Sequence, residues 1–208
     1  MSNRRYTPKV RQTQVFERKQ RVAAATAELH AEKGVSATTY ADIAGRAGVS
    51  LPTVYSYFPT QADLLSACTG HIVARAPHIP VQIILAAPDL SDAADQLILA
   101  VDGLHVYFEP WLCWRQETAD PFLTEFAATH RAQLTSMMDQ ILSQHRPGRQ
   151  TACAAVWESI LSFDLWQRLV RQHGLTRARV RKILKNLLMA ALGPGLSTSI
   201  QPGPRRKS

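Results

Sequence analysis

Between Thr39 and Phe58 the chain reads TYADIAGRAGVSLPTVYSYF. Thr39 stands three residues before Asp42, the spacing of a reciprocal helix cap. Gly48 supplies a helix stop, Ser50 an N-cap, and Pro52 fits the first turn of a new helix. The spacing predicts a helix over about 40–47, a turn at Gly48-Val49-Ser50, and a short helix over about 51–57. Two helices joined this tightly must cross closely, and the small Ala44 and Ala47 permit it. The arrangement is a helix-turn-helix. Ile43, Ala44, Ala47, Val49 and Val54 form its inner face.

The outer face of the second helix carries Leu51, Pro52, Thr53, Tyr55 and Tyr57. The hydroxyls of Thr53, Tyr55 and Tyr57 suit phosphate oxygens, and Leu51, Pro52 and the Tyr55 ring suit thymine methyls in a major groove. Tyr40, on the supporting helix, is placed to reach a base or a phosphate. Thr39, Ser50 and Gln61 complete the candidate contact set for double-stranded DNA.

Charge supports that reading. Residues 1–60 hold nine basic and four acidic side chains, residues 61–167 five and twelve, and residues 168–208 ten and none. Segregation of this kind assigns the ends to a polyanion and the middle to another task. With 46% hydrophobic residues the 208-residue chain can bury a core. No apolar run approaches the ~20 residues of a membrane span. The N-terminus lacks the apolar stretch of a secretory signal, and three scattered cysteines fit free thiols, so a cytoplasmic location and no membrane partner are expected.

Almost every other segment repeats apolar residues at three- and four-residue steps, so the expected fold class is all-α. Helices are expected over about 15–33, 61–75, 91–111, 119–145, 150–173 and 177–192. Residues 1–14 and 193–208 read as loose basic tails, and 76–90 as a proline-broken linker. No HExxH, GxSxG or CxxC spacing occurs, so no catalytic residue, metal ligand or cofactor is assigned.

Residues from about Arg21 to Leu65 resemble the DNA-binding domain of the TetR family of bacterial regulators. Thr39, Ile43, Ala44, Ala47, Gly48, Val49, Ser50, Thr53, Tyr55, Tyr57, Phe58 and Leu64 carry the resemblance. Gln61 departs from it, because the family usually places a phosphate-binding lysine there. His30 stands where the family has a buried aromatic, and reads as a partly buried core histidine. The resemblance implies a three-helix DNA-binding domain over 15–75 and a larger helical domain over 76–192. It implies that the second domain senses a small molecule and pairs the last two helices in a homodimer.

Aromatic residues interleaved with acids mark the candidate effector pocket: Tyr107, Phe108, Trp111, Trp114, Phe122 and Phe126. Such a lining suits a bulky apolar or cationic ligand. The expected function is a repressor that binds a near-palindromic operator as a dimer and is released by its ligand. The alternatives are a ligand-independent activator or constitutive regulator and, more remotely, an enzyme or interaction module on the helical domain.

Overall fold

The computed structural model describes residues 8–114, 120–145 and 150–193. No strand occurs among them. Ten α-helices are described: α1 Pro8–Lys33, α2 Tyr40–Ala47, α3 Leu51–Tyr57, α4 Gln61–Val73, α5 Val81–Leu85, α6 Leu90–Leu112, α7 Pro121–His145, α8 Gln150–Ile160, α9 Phe163–Gln167 and α10 Arg177–Ala190. The chain divides into two compact units, Met1–Pro77 with Val106–Ala128, and His78–His105 with Thr129–Ser208.

In the first unit α1 packs on α2 and α4, and α2 on α3. Val22, Ala25 and Leu29 meet Ile43, Ala44, Ala47, Val54 and Phe58 in one buried cluster. The alanines let backbones approach, while the larger side chains fill the remaining space. A second cluster joins Ala27, Leu65, Cys68 and Ile72 to the partly buried Tyr107, Phe108, Trp111 and Phe122. Residues 106–128, expected within the C-terminal domain, therefore group with the N-terminal helices.

In the second unit α8 packs on α10. Leu97, Ile98, Met138, Ile141, Trp157, Trp166 and Leu188 are buried there. Asp102, 1% exposed, accepts hydrogen bonds from Trp166 Nε1 at 2.8 Å, Arg177 Nη2 at 2.8 Å and Arg181 Nη1 at 2.8 Å. Burial alone would raise its pKa, but donors from Arg177, Trp166 and Arg181 outweigh it and hold the carboxyl below the ordinary range.

Several expected boundaries move. Helix α1 begins at Pro8, so 8–14 are not a loose tail: proline suits a first helical turn, and no glycine follows until Gly34. The linker over 76–90 contains α5. The expected helix over 150–173 is interrupted after Ile160, because the Ser162 hydroxyl caps α9 by accepting from Leu165 N at 3.4 Å. Helix α9 then widens into a π-helical turn, Arg168–Gln172. Helix α6 passes through Pro110 and ends two residues later. The expected tail at 194–208 lies outside the described residues.

Candidate nucleic-acid interface

Two reciprocal caps bracket α3. Thr39 Oγ1 accepts from Asp42 N at 3.1 Å, and Thr39 N donates to Asp42 Oδ2 at 2.9 Å. Thr60 and Asp63 repeat the pattern, both at 3.1 Å. Lys33 Nζ adds a 2.8 Å contact to Asp42 Oδ2. The Lys33 and Thr39 donors hold the Asp42 carboxyl far below the usual carboxylate range. Thr60, through its own donors, lowers Asp63. The Thr39 hydroxyl is thus engaged within the protein, where it fixes the start of α2.

The turn between α2 and α3 depends on Gly48, whose φ of +63° is costly for any residue with a Cβ. Its N–H and that of Val49 return to the carbonyls of Gly45 and Ala44. Ser50 holds the N-cap position of α3 but makes no side-chain cap. Its Oγ instead lies 2.7 Å from Thr53 Oγ1 in a shared hydrogen bond. The expectation of a Ser50 side-chain cap is therefore corrected.

Val54 is fully buried and anchors the inner side of α3. On the outer side Leu51 is 39% and Tyr55 50% exposed. Pro52 is exposed, Thr53 half-buried, and Gln61 exposed at the first position of α4. Tyr40 stacks flat on Tyr55, with ring centroids 4.5 Å apart and planes 8° apart. Burial, then the neighbouring Tyr55 and Asp63, raise the Tyr40 pKa, and its hydroxyl donates to Phe58 O at 3.5 Å. The structure therefore gives Tyr40 a supporting role behind Tyr55 that the sequence reading lacked. Its only sequence signal is a second tyrosine one helix earlier.

Tyr57 is half-buried against the core, with Lys19 Nζ 5.7 Å from its ring centroid. Arg11, Arg18, Lys19 and Arg21 are exposed along α1. Arg46 differs: it bridges Glu32 at 2.8 and 2.9 Å and Glu28 at 3.3 Å. It ties α2 to α1, and its charge is matched inside the protein. His30 is buried, with Nδ1 3.7 Å from Cys68 Sγ. Burial pushes His30 down to about 4 and the Cys68 thiol up to about 12.

The six aromatic side chains read as an effector lining all lie in the first unit. Tyr107 OH donates to Ile72 O at 2.8 Å, Trp111 Nε1 to Ala27 O at 2.7 Å, and Trp114 Nε1 to Ala31 O at 3.2 Å. Phe108 packs edge-on to Tyr107, and Phe122 faces Phe126 at 6.3 Å. The Trp114 ring lies against Gly34, where a Cβ would stand 3.2 Å from it. Tyr107, Phe108, Trp111 and Phe122 thus pack against the buried residues of α1 and α4, whereas Phe126 is exposed. Two open hollows of about 590 and 460 Å³ lie in the second unit and take none of the six.

Residues 22–68 match the profile of the bacterial regulatory proteins of the tetR family. That stretch is therefore similar to the DNA-binding domain of this family. It is 29% identical over 121 residues to the HTH-type transcriptional regulator LuxR of Vibrio harveyi, covering 56% of this chain and 58% of that protein. The chain thus spans under two thirds of this curated relative. The fold is shared with a TetR-like regulator from Rhodococcus sp. RHA1, at TM-score 0.63 and 16% identity over 84% of this chain and 95% of that one. It is also shared with SmeT in complex with triclosan, at TM-score 0.61 and 18% identity over 92% of this chain and all of that one. Among the described residues no helix is long and apolar enough to cross a membrane, and no cluster of His, Cys, Asp and Glu could hold a metal.

Proposed function

We propose that this chain is a cytoplasmic transcriptional repressor of the TetR family, binding a near-palindromic operator as a homodimer and releasing it when a small molecule binds. The carrying observation is the outer face of α3. Leu51 and Tyr55 stand exposed on a seven-residue helix whose Val54 is fully buried and whose flanking helices are both capped. A helix held this firmly offers an apolar and hydroxylic edge to a major groove without a large ordering cost. The exposed cations of α1 supply phosphate attraction, which makes up for the lysine replaced by Gln61.

Exposed Leu187 beside half-buried Ile183 on α10 supports self-association through the α8–α10 pair. A dimer would carry two α3 helices to half-sites about one helical turn apart. A triclosan complex of a protein with this fold supports the small-molecule arm. Release then follows if the ligand binds better to a state with altered α3 separation. A coupling of ~1–3 kcal/mol changes operator affinity roughly 5- to 150-fold. The packed aromatic cluster of the first unit favours a second reading, a ligand-independent regulator.

The test is selection of bound fragments from random duplex DNA by the purified protein. A near-palindrome should be enriched, and Tyr55→Phe and Thr53→Ala should each bind it about 3- to 10-fold less tightly, as loss of one hydrogen bond requires. Recovery of only salt-sensitive, sequence-independent binding would overturn the reading. A saturating effector that leaves operator affinity unchanged would select the second reading.

A further inference from the structure

We infer that the groove between α5 and α7 binds an elongated, hydrogen-bonding molecule that carries a protonated amine. The inference rests on the effector reading above and gives that effector a chemistry and a place. Along α7, Thr129, Gln133, Ser136, Gln140 and Gln144 recur at steps of three and four, so they share one side of the helix. All five are exposed and uncharged. On α5, Val81 and Leu85 line the same space. The hollow of about 590 Å³ and that of about 460 Å³ share Ser136 and Gln140, and so form one groove. From Thr129 to Gln144 it follows α7 for roughly 20 Å, at the rise of an α-helix. Each hollow alone has the volume of a small-molecule site, about 300–1,000 Å³.

Its electrostatics are one-sided. Among the described residues of the lining, Asp139 is the only charged side chain and no lysine or arginine accompanies it. Asp139 Oδ1 is buried and accepts no hydrogen bond among the described residues. Ser143, which also lines the groove, spends its hydroxyl on the Asp139 backbone carbonyl at 2.6 Å rather than on the carboxylate. A buried carboxylate oxygen without a donor is unfavourable until one reaches it. A protonated amine supplies both the donor and the opposite charge. The glutamine amides and serine hydroxyls donate and accept, which matches hydroxyl, ether or further amine groups along the ligand. An anion would find no cation here, and a bulky apolar ligand would strand the row of amides.

Calorimetric titration of the full chain without DNA tests the site. The probes are spermine and the aminated sugar kanamycin, with hexaethylene glycol as an uncharged chain and triclosan as an apolar ligand. At least one amine should bind once per chain, with both controls at least tenfold weaker. Asp139→Asn should weaken the amine about tenfold or more, as loss of a charged hydrogen bond does. Gln140→Lys, at an exposed position that leaves the core alone, should abolish binding, and Gln140→Glu should strengthen it. Failure of both amines, or binding unchanged in Asp139→Asn and Gln140→Lys, overturns the inference. Operator affinity is read separately with the bound amine. Binding in the groove with unchanged operator affinity supports the site and removes the release step alone.

Discussion

The helix-turn-helix and the second unit are held by interactions of different reach. Around α3, the capping donors and acceptors are three residues apart: Thr39 with Asp42, Thr60 with Asp63. In the second unit, Asp102 draws on Trp166, Arg177 and Arg181, which lie 64, 75 and 79 residues away. The aromatic cluster of the first unit also depends on distant donors, since Trp111 reaches Ala27 across 84 positions. Short-range devices fix one helix at a time. Long-range ones make a whole unit cooperative, because no part of the bond survives local opening.

Trp111→Ala breaks the comparison hardest. It should destabilise the first unit by about 3 kcal/mol, by losing a large packed ring and leaving the Ala27 carbonyl without its donor. Trp111→Phe should cost less, about 1–2 kcal/mol, and urea unfolding followed by circular dichroism separates the two. A next-largest loss, about 2 kcal/mol, is expected for Asp102→Asn, which keeps the shape but leaves Arg177 and Arg181 without a counter-charge. Both arginines are partly exposed, so the cost stays below that of a fully buried pair. If Asp102→Asn melts with unchanged midpoint, the buried cluster is not what holds the second unit.

Acid sharpens the comparison from the other side. Burial depresses His30 to about 4, below its ordinary value of 6.5. Between those values the unfolded chain binds a proton that the folded chain refuses. Stability from this group is therefore full above about pH 6.5 and lost progressively as pH falls towards 4. His30→Phe should remove that part of the slope, by roughly 1–2 kcal/mol at pH 5, in unfolding titrations at pH 5 and 7.5. The smallest effect belongs to one cap. Thr39→Ala should cost about 1 kcal/mol in thermal unfolding. Its loss of DNA affinity should be no larger than that, because the Thr39 hydroxyl is already engaged with Asp42.

The range of each interaction also explains what could be read from sequence. The caps at Thr39 and Thr60, the Gly48 turn and the inner face through Val54 are local, and the expected α2 and α3 match the structure residue for residue. Ser50 misled because a hydroxyl near a helix start has two nearby partners, and Thr53 took it. The early start of α1 was hidden by its polarity, which marks solvent exposure and not looseness. Of the aromatics at 107–126 read as a ligand lining, Tyr107, Trp111 and Trp114 donate to backbone carbonyls, which have no sequence signature. Asp102 was not singled out in the sequence, because its partners lie 64 to 79 residues away. The row from Thr129 to Gln144 was not singled out in the sequence, because only the facing Val81 and Leu85 turn it into a groove.

The hydrogen bonds of the indoles have a spectroscopic consequence. The chain has four tryptophans. Trp111 and Trp114 donate to α1 carbonyls one turn apart, at Ala27 and Ala31, inside the first unit. Trp157 and Trp166 are buried in the second, donating to Leu188 O and Asp102 Oδ1. The natural fluorophores are thus sorted in pairs, one pair per unit. Replacing either pair with phenylalanine leaves an emission signal that belongs to one unit alone. Ultraviolet excitation of the unlabelled protein can then time the response of each unit to DNA, to ligand or to denaturant.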